Sequence, residues 1–271
     1  MGTVAGLSKA SREQLARVLR NARDVITIEQ ASASLGLSRK EASPKLALWA
    51  RQGWLTKIRR GLYIPVPLES RTSDIALEDP WIVAEKLFSP CYIGGWSAAE
   101  HWDLTEQIFR SIMVMTTRKP RNRKPSVKNT PFVLRTTVSE AFFGLKPVWR
   151  GSVKIDVSDT SRTVLDMIND PTLGGGLRPT VDVLQTYLKS PAKNLELLTS
   201  YAERLKNGAV FKRMGFLLER FAPTETTAIE ACKSGLSTGN AKLDPSLPAD
   251  RLVTRWKLWI PQNWTAELEN D

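Results

Sequence analysis

Residues 27–67 read TIEQASASLGLSRKEASPKLALWARQGWLTKIRRGLYIPVP, and their punctuation decides the fold of the N-terminal part. Thr27 with Gln30, and Ser38 with Glu41, each set a hydroxyl three residues ahead of an amide or carboxylate, the capping-box signature of a helix start. Ile28, Ala31 and Leu35 supply the apolar face of the first helix, which Gly36 ends; Leu46, Trp49 and Ala50 supply that of the second, which Gly53 ends. Trp54–Ile58 and Leu62–Ile64 then read as two short strands around the turn Arg59-Arg60-Gly61. Upstream, a helix starting near Ser8 or Ser11 carries Leu15, Val18, Leu19 and Ala22 on one face, with Arg12, Arg17, Arg20 and Arg23 on the others. Three helices followed by a basic hairpin make a winged helix-turn-helix. Such a domain lays one helix in the DNA major groove and holds phosphate with the wing beside it.

Charge location agrees. Residues 1–67 hold twelve Lys and Arg against four acids, a surplus of eight out of the chain's formal +11. The competing reading is a small helical domain with solvated Lys and Arg. Pro44 falls inside the proposed recognition helix, where an interior proline costs roughly 3 kcal/mol. Either the helix kinks there, or it starts at Pro44 with Ser43 as its cap.

At 271 residues, with 42% hydrophobic and 25% charged, the chain fits two globular domains. A pI near 9.8 points to an anionic partner without specifying which. Cys91 and Cys232 lie far apart without metal-ligand spacing, as free thiols in a reducing compartment would. With neither a signal peptide nor a membrane-length apolar run, the expectation is a soluble cytoplasmic protein.

Residues 68–78 read as a linker and 79–271 as a second, mixed α/β domain whose second half is helical, so the fold class is α+β. A helix is expected at about 80–88, strands at 91–93, 112–117 and 132–138, a helix over 97–102, and a hairpin joining 148–149 to 153–157. Helices follow near 161–169, 180–189, 194–206 and 209–221, and 255–260 reads as a closing strand. Between two of the strands lies RKPRNRKPSVKN, with six basic residues, no acid, and the turn formers Pro120, Asn122 and Pro125, which predict a mobile loop. Its cations read either as a second phosphate contact or as a solvated or protein-docking patch.

Nothing in the sequence assembles an active site. His101, the single histidine, sits between Glu100 and Trp102 on a predicted helix and reads as structural. One His and two distant Cys give no zinc set. Gly174-Gly175-Gly176 lacks the Lys-Ser/Thr of a phosphate-binding loop. Gly94-Gly95-Trp96-Ser97 has no paired metal carboxylates after it, and Asp156, Asp159, Asp166 and Asp170 suit helix capping and a solvated helix face. The reading is a binding protein without cofactor or metal, not an enzyme.

The wing, Arg59-Arg60-Gly61-Leu62-Tyr63-Ile64-Pro65, resembles the basic-Gly-Leu-Tyr wing of the AbiEi family of type IV toxin–antitoxin antitoxins. Tyr92–Glu100 resembles that family's strand and Ser-Ala helix, and Val157–Asp166 its acidic-x-x-Arg-Thr segment. Pro171 with the glycines at 174–176, and Leu243-Asp244-Pro245 with Arg255-Trp256, resemble its later motifs. The resemblance implies a bacterial regulator whose winged helix represses its own operon and whose C-terminal domain antagonises a nucleotidyltransferase-like toxin, directly or indirectly.

The groove-facing candidates are Ser38, Arg39, Lys40, Ser43 and Lys45, and the wing candidates Lys57, Arg59 and Arg60. Candidate second phosphate contacts are Arg118, Lys119, Arg121, Arg123 and Lys124. Double-stranded DNA is the expected partner, with inverted repeats seating two copies of a protein that is monomeric in solution. The rival readings are a sequence-indifferent DNA binder and, behind it, a nucleic-acid-processing enzyme.

Overall fold

Alternation along the strands builds the fold. In the computed structural model, which describes residues 6–21, 25–66, 79–151, 153–261 and 264, the N-terminal part comprises α1 (Lys9–Asn21), β1 (Ile26–Thr27), α2 (Ile28–Leu35), α3 (Arg39–Arg51), β2 (Leu55–Arg59) and β3 (Leu62–Pro65). Both capping boxes form as the sequence predicts, and Gly36 ends α2 in the left-handed conformation. Helix α3 starts at Arg39 and runs through Pro44, so Ser38, not Ser43, is its cap. Pro44 is exposed; the Lys40 carbonyl that it deprives of a ladder donor lies on the same open face. The sheet order is β1-β3-β2. Strand β1 was hidden in sequence because Thr27 serves both as its last residue and as the cap of α2. Arg23 and the 68–78 linker lie outside the described residues.

The C-terminal part opens with α4 (Pro80–Phe88), β4 (Cys91–Ile93), α5 (Gly95–His101), β5 (Ile112–Thr116), β6 (Ser126–Val127), β7 (Thr130–Thr136), β8 (Leu145–Arg150) and β9 (Val153–Ser158). Its six-stranded sheet, ordered β6-β7-β5-β4-β9-β8, mixes parallel pairs (β4 with β9, β5 with β7) with antiparallel ones. Both faces are covered, and successive residues serve different layers. Ile93, Val114, Phe132 and Leu134 pack with Trp81 and Ile82 of α4; Tyr92, Met113 and Met115 pack against the helical layer opposite. That layer holds α6 (Thr160–Asn169), α7 (Leu177–Lys189), α8 (Leu195–Leu205), α9 (Gly208–Phe221) and α10 (Thr226–Ser234). A small sheet of β10 (Ala241–Lys242), β11 (Arg251–Val253) and β12 (Leu258–Ile260) closes the chain.

Three expectations need correction here. Helix α10 was missed, since its nine residues bury only Ala228, Ile229 and Cys232. The predicted closing strand is shorter, because residues 254–256 form a 3-10 turn that turns Trp256 into the core. There the Trp256 indole N–H donates to Glu219 (2.7 Å), and its ring lies on Gly215, where a Cβ would collide with it. Finally, the basic arm at 118–128 is tied to β7, not loose: Leu134 N–H donates to the Arg123 carbonyl and Phe132 N–H to that of Pro125, both at 2.8 Å.

The N-terminal and C-terminal parts share a core. Tyr63 faces the helices with Trp49, Leu46 and Val18, whereas its neighbours Leu62 and Ile64 join Val25 in the apolar cluster of α4 and the large sheet. Leu62 is 3% exposed, and Leu62→Ala should cost about 2–5 kcal/mol, as large-to-small changes in packed cores do. Urea denaturation measures this, and a cost below about 1 kcal/mol would contradict the shared core.

Candidate nucleic-acid interface

Helix α3 turns Ala42, Leu46 and Trp49 inward, which leaves Lys40, Pro44, Leu48 and Arg51 as an exposed stripe with Ser43 and Ala47 half-buried beside it. Leu48 is 42% exposed, unusual company for two flanking cations. Arg39 is exposed and ion-paired to Glu29 of α2. Lys45 donates to Gln14 of α1 (3.0 Å), so its ammonium braces the helix packing. Ser38 is the cap: its Oγ accepts from the Glu41 N–H (3.3 Å), while the Glu41 carboxylate accepts from the Ser38 N–H (2.9 Å) and hydroxyl (2.7 Å). Those bonds hold the Glu41 carboxyl below the usual range. Of the five groove candidates, Lys40 and Arg39 are therefore the most outward. Arg51, Leu48 and Ala47 were missed, although continuing the helical repeat from Lys40 would have found them.

On the wing, Lys57 and Arg60 are exposed, and Gly61 turns the hairpin with φ of 82°. A side chain at Gly61 would be strained by that φ, and its Cβ would come within 3.2 Å of Ile28. Arg59 is exposed as well, but its guanidinium donates to the Lys86 carbonyl at the end of α4 (2.8 Å). It ties the wing to the C-terminal part. On the basic arm, Arg118, Lys119, Arg121, Arg123 and Lys124 are all exposed.

The Asp-x-x-Arg-Thr-x-x-Asp segment has a structural explanation. Asp159 caps α6, accepting the Arg162 N–H (2.8 Å) and the Tyr201 hydroxyl (2.9 Å). Arg162 is 1% exposed; it donates to Asp166 (2.8 Å), the Phe143 carbonyl (3.0 Å) and the Tyr92 hydroxyl (3.3 Å), with its guanidinium carbon 4.0 Å from the Phe143 ring centre. Burial pulls the Arg162 pKa down, but Asp166 and Tyr92 push it up by more, which keeps the guanidinium charged. Asp166 is thus buried and paired, not on a solvated face as its spacing suggested. His101 sits 5.2 Å from Trp81 and 4.5 Å from Trp102 between ring centres, and burial, aided by Arg150, holds its pKa low. Among the described residues, no group of three or more His, Cys, Asp or Glu is placed to hold a metal ion, and no helix is long and apolar enough to cross a membrane.

Residues 13–66, which cover the helix-turn-helix and the wing, match the family model described as transcriptional regulator, AbiEi antitoxin, so that segment is similar to that family. No curated protein matches the chain. Among solved structures, the chain is similar to that of the RV2827C protein from Mycobacterium tuberculosis, with a TM-score of 0.62 at 16% identity, over 96% of this chain and 94% of the other. That likeness extends to the fold of both parts.

The buried pair makes its own prediction. Arg162→Met leaves Asp166 buried without its cation and should destabilise by roughly 3–5 kcal/mol. Arg162→Met with Asp166→Leu should regain part of that loss in thermal or urea melts. A double variant no more stable than the single would show that the two charges do not depend on each other.

Proposed function

We propose that this chain is the DNA-binding autorepressor and antitoxin of a toxin–antitoxin operon, antagonising a nucleotidyltransferase-like toxin. The observation that carries the DNA half is the exposed stripe of α3, cationic at both ends through Lys40 and Arg51, beside a wing whose turn presents Arg60. The antitoxin half is supported by the family description matched at residues 13–66 and by the sequence resemblance that continues through Arg162 and Arg255. In this reading α3 lies in the major groove. Lys40 and Arg39 reach base edges or phosphate, Pro44, Ala47 and Leu48 offer apolar contact of the kind that meets a thymine methyl, and Lys57, Arg60 and Arg51 hold phosphate. Arg39 exchanges Glu29 for DNA; Lys45 and Ser38 support the helix from behind and below. Two copies pair on inverted repeats.

A sequence-indifferent binder would use the same cations, and the basic arm at 118–128 would suit one. Fluorescence anisotropy on the protein's own upstream duplex and a shuffled duplex, across a salt series, separates the two. The expected result is a clear preference for the upstream sequence; equal affinity would refute autorepression through base reading. Arg60→Ala and Lys57→Ala should each lower the slope of log K against log salt by about 0.9, one phosphate contact apiece. Arg59→Ala should leave the slope near the wild-type value, since its guanidinium is held by the Lys86 carbonyl.

A further inference from the structure

A cleft of about 290 Å³ opens between β7 and α6, beside the basic arm, and its charges do not balance. Arg162 and Asp166 on its floor satisfy each other. Asp170, at the rim, spends one carboxylate oxygen on the Thr172 N–H (3.1 Å) and hydroxyl (2.6 Å), and its other oxygen stands 4.0 Å from the Arg135 guanidinium. Arg135 donates one terminal nitrogen to the Thr172 hydroxyl (2.5 Å), yet among the described residues its Nε–H is buried with no acceptor. A buried donor left unmade is costly, and more so when it is charged. Arg123 lines the same cleft as a second, exposed cation. Its position is set by its own carbonyl, which accepts the Leu134 N–H across from β7.

We infer that this cleft binds a phosphate monoester, held between Arg123 and Arg135. The ligand has to bring negative charge, because the lining sets one rim carboxylate, Asp170, against Arg123 and Arg135, and Asp170 stands 4.0 Å from Arg135 alone. Guanidinium groups engage phosphate oxygens in parallel pairs, a geometry that a lone chloride cannot use. The volume lies at the small end of ligand sites, which run roughly 300–1,000 Å³, and suits a mononucleotide or a chain terminus but not a duplex. Arg118, Lys119, Arg121 and Lys124 stand along the neighbouring arm, where further phosphates of a chain would be attracted. The site is separate from the α3 stripe and does not depend on how that stripe is read.

Isothermal titration of the full-length chain at fixed ionic strength tests this, with inorganic phosphate, AMP, and a short oligonucleotide bearing either a 5′-phosphate or a 5′-hydroxyl. The expected result is saturable binding of phosphate and AMP, weakened at least about tenfold by Arg123→Ala and by Arg135→Gln. Lys154→Ala, which removes an exposed cation of β9 that is not among the cleft-lining residues, should bind as the wild type does. Because Arg123 is exposed, its variant should fold normally even if Arg135→Gln does not. Tighter binding of AMP than of the phosphorylated oligonucleotide identifies a free nucleotide as the ligand, and the reverse order identifies a chain end. No saturable heat with any probe, or equal loss in Lys154→Ala, would overturn the inference.

Discussion

Strand β3 is buried on both sides by two different cores, and the placement of the wing and of the exposed stripe of α3 depends on that. Tyr63 belongs to the helical core with Trp49, and Leu62 and Ile64 belong to the core of the large sheet with Trp81 and Phe132. A wing built this way cannot slip by one residue, because the slip would exchange its two apolar faces. Nor can it swing freely, because that would expose side chains each contributing about 1.5–3 kcal/mol by burial. Arg59 adds a polar tie at the end of α4. The hairpin turn with Arg60 and the exposed stripe of α3 are therefore presented from one packed body. The C-terminal part thereby helps to position the wing and α3.

The basic residues serve three purposes that net charge alone does not distinguish. Some are interior struts: Arg162 holds Asp166, and Arg213 donates to the Lys242 carbonyl (2.8 Å) and that of Ile168 (3.5 Å), its pKa lowered by burial. Others brace neighbouring elements, as Lys45 does with Gln14 and Arg39 with Glu29. Others, among them Lys40, Arg51, Lys57, Arg60 and the cations of the arm at 118–124, are exposed. A long-range field would draw an anionic partner toward the whole basic face, whereas Lys45, Arg39 and Arg59 could contact it only by giving up an existing bond.

Local chemistry was legible in the sequence wherever one residue type settles a backbone choice. The two capping boxes, the left-handed Gly36 and the hairpin around Gly61 all lie where the sequence places them. Tertiary overrides were not legible. A proline in the sixth position of α3 argued for a kink or a later start, yet both helix caps and the buried face of Ala42, Leu46 and Trp49 hold the helix through it. Asp166 read as solvated because its spacing from Asp159 and Asp170 is that of a polar helix face; its partner Arg162 lies on the same face, four residues back, and both are interior. The six cations of 118–128 predicted a mobile segment, but composition reports side-chain solvation and says little about backbone bonds such as Leu134 to Arg123. At the candidate interface, the sequence reading named the start of α3 and the wing and passed over the exposed Leu48 and Arg51, since charge drew attention to the helix start.

The central claim is that the exposed stripe of α3 reads bases in the major groove. Cys91 and Cys232 are buried, and burial raises both thiol pKa values, that of Cys232 to about 12, so a cysteine introduced by Leu48→Cys can be labelled alone. With an iron chelate on that cysteine, the bound protein should cleave its own upstream duplex within a few nucleotides of one fixed register and leave a shuffled duplex evenly cut. Absence of localised cleavage from position 48, with localised cleavage instead from a chelate placed by Trp149→Cys on the edge strand β8, would contradict a major-groove role for α3.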